Sequence, residues 1–298
     1  MIDRSECNIA ITGSTGWFGK SFIKKYVEKK GLESAIKHLF LFSSDGRKLK
    51  IPSIDHDFDT FPLSNLNQQK NIDAFIHSAF LTKDKISIFG EKEFVRINTE
   101  ISDTACSFIE NRAPEKVYLI SSGAATDSNC DKDLYGRLKR REESLFWNVG
   151  CKSLKVFRVF GASGCLTPNV EWSALSSFIN SAKHQRNIDI MARGVVKRSY
   201  VSFDALSELI LSLISSSLIP SSEIIDACSI ETDIYTLAKI VSNNSNSEVN
   251  FNENYDPQVI QNQYVGSNER FIELCKAHSV HIATLEEKVA ESFSSPYF

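Results

Sequence analysis

The segment TGSTGWFG, residues 12–19, constrains this chain more than any other stretch. It follows the short apolar run NIAI (8–11) and opens an amphipathic pattern over 17–30, so three glycines stand between a strand and a helix. Gly13 allows a tight turn, Gly16 lets the backbone approach a pyrophosphate, and Gly19 lets the helix pack closely on the strand. The helix start adds amides and the positive end of its dipole. The chain holds only 13 glycines, so three at this spacing point to a dinucleotide seat rather than a chance glycine-rich loop. Thr15, Trp17 and Phe18 lie in the same turn and are counted with its cofactor-binding set.

The rhythm continues beyond the turn. Apolar runs HLFLF (38–42), IDAFIHS (72–78), KVYLIS (116–121) and LKVFRVF (154–160) alternate with helical patterns near 91–112 and 133–148. Such alternation calls for parallel strands joined by crossover helices, an α/β, doubly wound Rossmann-type sheet. After about residue 162 it loosens: RSYVSF and EIIDAC read as strands, 204–216 and 233–242 as helices, and SNNSNS as a polar loop. The expected organisation is an NAD(P)-binding Rossmann domain over 1–165, to which 198–216 returns, and a smaller C-terminal α/β substrate-binding lobe over 166–298.

Composition narrows the partners. Thirty-four Lys plus Arg against 37 Asp plus Glu leaves a formal charge of -3, which gives no electrostatic footprint for nucleic acid. The basic cluster Arg137, Lys139, Arg140 and Arg141 is followed directly by Glu142 and Glu143, and reads as a solvated or partly catalytic helix face. Seven cysteines, odd in number and without a C-x-x-C pair, argue against a disulfide framework and for a reducing compartment. Cys130 has no histidine beside it in sequence and reads as a loop thiol. His278 and His281 form H-x-x-H without a third ligand, so no metal is expected. The opening MIDRSECNIAITG has no leader-like apolar run, and LSELILSLISSSLIP is broken by Glu208 and serines. The expectation is a cytoplasmic protein with no membrane association.

The end of the second strand bears on the cofactor ribose, where a carboxylate suits a bare 2'-hydroxyl and a basic group a 2'-phosphate. LFSSDGRK offers Ser43, Ser44, Asp45 and Arg47. Ser43 and Arg47 suit a phosphate and Asp45 comes late for the ribose, so NADP is expected, with NAD as the alternative.

Tyr135 and Lys139 stand four apart in DLYGRLKRREE and so share one helix face. A neighbouring ammonium favours the phenolate and brings a tyrosine closer to acid/base work near neutrality. The same Y-x-x-x-K spacing recurs at Tyr26 with Lys30 and at Tyr235 with Lys239, so position must decide. Tyr135 follows the strand KVYLISSGAA, whose carboxyl-edge exit would bring Ser121 or Ser122 beside the cofactor. A serine hydroxyl there can hold the substrate oxygen whose proton Tyr135 moves during hydride transfer, while Lys139 also holds the ribose.

TGSTGWFG, the strand end IHSAF, the strand ISSGAA and the YGRLK helix, in this order, resemble the extended short-chain dehydrogenase/reductase family. Asn98 in VRINTE is similar to the asparagine of that family's central helix, VFRVFGASG to its sixth strand and glycine turn, and RSYVSFDAL to its R-x-F-x-H-V-x-D segment. The resemblance spans roughly residues 8–210. It implies Ser122, Tyr135 and Lys139 as the catalytic set and adds Ser78, Ala79 and Asn98 to the cofactor-binding residues. It also implies Ser122, Gly123, Asn169 and Arg198 as substrate contacts, and a nucleotide-linked sugar as the substrate.

The chain departs from that pattern in places. Only Gly123–Leu134 separates Ser122 from Tyr135, ATDSN replaces the usual V-Y-G segment, and Val201, Ser202 and Phe203 replace the family's histidine region. Gly123 and Ala124 stand where dehydratases of the family carry Asp-Glu, which argues against dehydration. Reduction and epimerisation remain, and the NADP reading favours reduction of a 4-keto-6-deoxy sugar nucleotide, with an NAD-retaining nucleotide-sugar epimerase as the alternative. A third reading is a noncatalytic NAD(P)-binding sensor. Relatives pair through the helices near 91–112 and 133–148, so a homodimer is implied; Phe94, Ile97, Ile101, Ala105, Phe108 and Ile109 recur there at helical spacing, and most of them must face the sheet.

Overall fold

The computed structural model describes residues 7–298, so the first part of MIDRSECNIAITG lies outside it. The first half runs β1 (Ile9–Thr12), α1 (Trp17–Lys30), α2 (Leu32–His38), β2 (Leu39–Ser43), β3 (Leu49–Lys50), β4 (Asp57–Phe58), β5 (Phe61–Pro62), β6 (Ala74–His77), α3 (Ile86–Phe89), α4 (Glu91–Arg112), β7 (Lys116–Ser122), α5 (Leu134–Asn148) and β8 (Leu154–Val159). There follow β9 (Ala162–Ser163), α6 (Ala174–Lys183), β10 (Ile188–Ile190), β11 (Gly194–Ser202), α7 (Phe203–Ser215), β12 (Glu223–Ala227), β13 (Ile230–Asp233), α8 (Ile234–Asn243), β14 (Val249–Phe251), β15 (Asp256–Tyr264), α9 (Glu269–Ala277) and α10 (Leu285–Phe293).

One compact unit is Met1–Arg158 with Ser207–Ile225. Its seven-stranded sheet has the order β12-β8-β7-β6-β1-β2-β5. The pairs β1–β2, β1–β6, β6–β7 and β2–β5 are all parallel. Strands β1 and β6 are buried along their whole length, which is why they read as continuous apolar runs rather than alternating ones. Ala10, Phe75, Val117 and Val156 from the strands pack with Ala105, Phe108 and Ile109 of α4 and Phe146 of α5. From β1 the chain builds outward through β2 on one side and through β6 on the other, so the strand order reverses between β1 and β6. That reversal opens a crevice at their carboxyl ends, where Thr12 is in register with His77.

EIIDAC, expected in the second lobe, instead forms β12 at the edge of this sheet beside β8. The crossover through α7 carries it there. Buried Lys116 at the start of β7 donates to the carbonyls of Leu213, Ile214 and Ser216 at 2.8, 2.9 and 2.7 Å. A cation thus satisfies the orphan carbonyls at the C-terminus of α7, a long-range partnership invisible to a local reading.

The other unit is Val159–Leu206 with Asp226–Phe298. Here β11 pairs β13 antiparallel and β15 and β9 parallel, and β10 pairs β14. Leu175 and Ile179 of α6, Leu237 and Val241 of α8, and Leu285 and Val289 of α10 close over Ile188 and Tyr200. Helix α10 begins with a capping box in which Thr284 and Glu287 bond each other's backbone N–H. Among the described residues no helix is long and apolar enough to cross a membrane.

Candidate active site

The glycine turn sits at the strand-order reversal. Gly13 has φ +73°, and a Cβ there would stand 2.7 Å from the Ala79 nitrogen and the Ser78 carbonyl carbon. Ser78 and Ala79, the residues that leave β6, therefore lie against the turn. Ser78 Oγ donates to the Thr12 carbonyl at 2.8 Å, and Ser14 Oγ to the Phe42 carbonyl at 2.9 Å. Gly16 is the extended N-cap residue of α1, exposed and without a side-chain cap. A helix start of this kind can take an anionic ligand. Phe18 is buried and packs on Phe22 with ring centroids 6.3 Å apart, so its contribution to a cofactor seat is its backbone. Trp17 and Thr15 are half-buried.

Asn98 of α4 is buried, its Oδ1 accepting from Leu81 N at 2.8 Å while its Nδ2 has no hydrogen-bond partner. An orphaned donor beside this crevice and a glycine cradle at a helix start both fit a bound dinucleotide. Gly13, Gly16 and the first turn of α1 would hold its pyrophosphate.

The second strand end is less open than the sequence implies. Ser43 is buried; its Oγ bonds Thr60 Oγ1 at 2.8 Å and accepts from Gly46 N at 3.0 Å. Arg47 is exposed and donates to Asp45 Oδ1 at 2.9 Å. Ser43 and Arg47, the two residues read as phosphate ligands, thus also hold the turn around Gly46, one through a buried hydroxyl and the other through an i,i+2 carboxylate.

Ser121 and Ser122, adjacent on β7, face opposite ways. Ser121 Oγ donates to Glu143 Oε1 at 2.6 Å, and the Glu143 carboxylate is held by Arg158, Nη2 to Oε2 at 2.6 Å. Ser122 Oγ accepts from Ala124 N at 3.2 Å, and its hydroxyl favours the Tyr135 phenolate. Strand alternation separates a structural serine from the one beside the tyrosine. Helix α5 starts at Asp133, whose Oδ1 accepts from Gly136 N at 2.8 Å. Gly136 must be bare, since a Cβ would stand 2.8 Å from the Ala124 carbonyl. The short Gly123–Leu134 segment is ordered from within: the Gly123 carbonyl accepts from Thr126 N, Thr126 Oγ1 and Asn129 Nδ2.

The Tyr135 ring meets Phe80 edge-on at 5.7 Å, and Lys139 Nζ lies over the same Phe80 ring, 3.8 Å from its centroid. Burial pushes the Tyr135 phenol above its ordinary range; the Ser122 hydroxyl opposes, and the Glu142 and Asp133 carboxylates push further up. Phe80, His77 and Glu142 are the site residues that sequence reasoning missed. The other Y-x-x-x-K pairs are structural: Tyr26 bonds Ser34 Oγ at 3.0 Å, and Lys239 Nζ lies 4.5 Å from the Tyr235 ring centroid.

Asn169 and Arg198 belong to the second unit. Asn169 is exposed, with Nδ2 3.2 Å from Asn180 Oδ1, and half-buried Arg198 donates from Nη1 to the Lys197 carbonyl and Asn262 Oδ1 at 2.8 and 2.9 Å. Cys130 lies in the loop with Sγ 3.9 Å from the Asp127 carbonyl. His281 Nε2 is 3.3 Å from the Glu287 carboxylate, and no cluster of three metal-ligating side chains occurs among the described residues.

The profile of the NAD dependent epimerase/dehydratase family matches residues 9–227. The chain belongs to that family. It is an enzyme of the epimerase/dehydratase type, and its α/β fold recurs in solved structures that are similar at low identity. MoeE5 in complex with UDP-glucose and NAD matches with a TM-score of 0.72 at 15% identity, over 96% of this chain and 97% of that one. A UDP-N-acetylglucosamine 4-epimerase from Methanobrevibacter ruminantium M1, in complex with UDP-N-acetylmuramic acid, gives 0.73 at 16%, over 97% of both chains. The NAD dependent NDP-hexosamine 5,6-dehydratase TunA gives 0.72 at 13%, over 96% of both. No curated protein sequence matches this epimerase/dehydratase-family chain.

Proposed function

We propose that the protein is an NAD-dependent nucleotide-sugar epimerase in which Ser122, Tyr135 and Lys139 move the proton. The observation that carries this reading is the placing of Tyr135 and Lys139 on one Phe80 ring, 5.7 and 3.8 Å from its centroid, with the Ser122 hydroxyl at the carboxyl edge of β7 favouring the phenolate. Bound at the glycine turn, the dinucleotide supplies reversible hydride transfer. Tyr135 Oη takes the proton of a sugar hydroxyl as that carbon is oxidised to the ketone, and returns it when the carbon is reduced from its other face. Ser122 Oγ holds the same oxygen. Arg198 and Asn169 are proposed for the nucleotide end of the substrate.

NAD is preferred over NADP because the Ser43 hydroxyl and the Arg47 guanidinium are engaged by Thr60, Gly46 and Asp45. That removes the reason for favouring reduction. The similar structures with UDP-sugars and NAD support the same choice. Titration with NADH and NADPH is expected to show tighter binding of NADH. Incubation with UDP-glucose and UDP-N-acetylglucosamine is expected to interconvert one of them with its 4-epimer without net cofactor oxidation. Net NADPH oxidation by a 4-keto-6-deoxy sugar nucleotide would instead establish a ketoreductase, and no dinucleotide binding would overturn both readings.

We also propose a cytoplasmic homodimer formed through the outer faces of α4 and α5. Phe94, Ala105, Phe108 and Ile109 are spent on the core, but Ile97 and Ile101 remain half-buried and Trp147 is 48% exposed. Light scattering at micromolar concentration is expected to give twice the 33.5 kDa chain mass; a single monomeric mass removes the dimer.

A further inference from the structure

A carboxylate is withdrawn from water at high cost unless it is paired and hydrogen-bonded. Glu142 is only 1% exposed and lies one turn after Lys139 on the inward face of α5. Its Oε2 accepts from Lys139 Nζ at 2.9 Å. Its Oε1 accepts from Ser102 Oγ of α4 at 3.4 Å and lies 3.3 Å from His77 Nε2 of β6. His77 is itself oriented by a 2.7 Å hydrogen bond between Nδ1 and Thr12 Oγ1, at the end of β1. The Lys139 ammonium is therefore held by a carboxylate, by the Ile120 carbonyl at 3.4 Å and by the face of Phe80.

The reading of Tyr135 as the acid/base residue rests on a cation that favours its phenolate. Here that cation is bonded to an anion. We propose that Glu142, which accepts from Ser102 and lies beside His77, is the positioning residue of this site: it fixes the Lys139 ammonium and balances its charge beside Tyr135. The inference rests on the acid/base assignment proposed above and adds the group that sets it.

Of the other ionisable groups around the site, Asp133 also pushes the Tyr135 phenol up. Asp133, at the start of α5, is paired with Lys83 at 2.6 Å. Glu143 faces away to Arg158. On α4, burial pushes the Cys106 thiol up to about 12, with the Asp103 and Glu142 carboxylates adding to it, so it stays neutral. Glu142 itself is ionised: burial raises its pKa, but Lys139 and His77 outweigh burial and hold it below the usual carboxylate range. An opposite or like charge close to a titrating group shifts its titration by about 1–3 pH units.

The test places 3,5-difluorotyrosine, whose phenol ionises nearer neutrality, at position 135 of the full-length protein and follows its ionisation by fluorine NMR. Glu142→Gln is expected to lower the midpoint by about one pH unit or more; a smaller change overturns the proposal. Because Glu142→Gln leaves a buried ammonium uncompensated, a second variant guards against failure to fold. Lys139→Met with Glu142→Leu replaces the pair by apolar groups of similar size, a change folded proteins commonly accept. If the two charges balance at Tyr135, this double variant titrates within half a unit of the parent, whereas an inert Glu142 gives a rise of about one unit or more. The readout needs no turnover. A Tyr135→Phe protein that keeps its activity defeats the acid/base reading, while an unmoved midpoint in Glu142→Gln defeats this inference alone.

Discussion

Replacing Tyr135 by Phe is expected to lower turnover by about 10²–10⁴-fold, the usual contribution of a positioned proton donor, while dinucleotide affinity is unchanged. The substitution removes Oη and nothing else: the ring keeps its edge-on contact with Phe80, and the Ser122 hydroxyl keeps the Ala124 N–H. At most one hydrogen bond is lost, worth about 1 kcal/mol of stability, so the variant folds. In the parent protein, burial keeps the phenol protonated, the Ser122 hydroxyl opposes, and Glu142 and Asp133 add to burial. Either direction of epimerisation begins by removing a proton from a sugar hydroxyl and so needs the phenolate, and the rate in both directions is expected to rise with pH across the stable range. Steady-state turnover in both directions, beside fluorescence titration with NADH, checks the set. Undiminished turnover in the Phe variant would favour a noncatalytic or differently catalysed protein, and lost NADH binding would make Tyr135 a structural residue.

The site was legible in sequence wherever local chemistry dictates local shape. Gly13 is legible because a positive φ against the chain leaving β6 admits no side chain, and Tyr135 because its helix follows the strand that ends in Ser122. Glu142 and Glu143 were hidden by their own polarity. Lys139, Glu142, Glu143 and Phe146 follow the i, i+3, i+4, i+7 spacing of a buried helix face, yet three of the four are charged, so the stretch reads as solvated. What buries them comes from distant segments, His77 of β6 and Arg158 of β8, which no window on α5 contains. The same applies to Ser43 and Arg47, whose fate depends on Thr60 and on the Gly46 turn. Helix α10 was not anticipated from the sequence, although Thr284 and Glu287 stand at capping-box spacing at its start.

Three alanine substitutions at glycines are expected to separate folding from cofactor binding. At Gly19 a Cβ would overlap the Gly13 carbonyl oxygen and stand 2.7 Å from Ser14 Cα and O. All of these are backbone atoms that cannot swing aside, so α1 must lift from the turn. Overpacking of this kind costs about 1–3 kcal/mol, several degrees of melting temperature in a chain of this size, and it misplaces the helix start that seats the pyrophosphate. Gly19→Ala should therefore lose both stability and NADH affinity. Gly16 is different: its φ is -74°, its surface is open, and a Cβ meets only the Gly13 carbonyl oxygen at 3.2 Å. Gly16→Ala is expected to melt close to the parent, the capping change costing about 1 kcal/mol or less, yet to bind NADH about tenfold or more weakly, because the new methyl stands where the cofactor backbone approaches. Gly31 closes the series, with φ +88° and nothing within 4 Å of a built Cβ. There alanine brings backbone strain of about 1–3 kcal/mol at the far end of α1, and NADH affinity should be intact. Melting curves and NADH titrations on the three proteins decide the matter. A Gly16→Ala protein that binds NADH like the parent would remove the pyrophosphate from this turn, since the one position open to solvent and free of folding constraint would then be free of ligand as well.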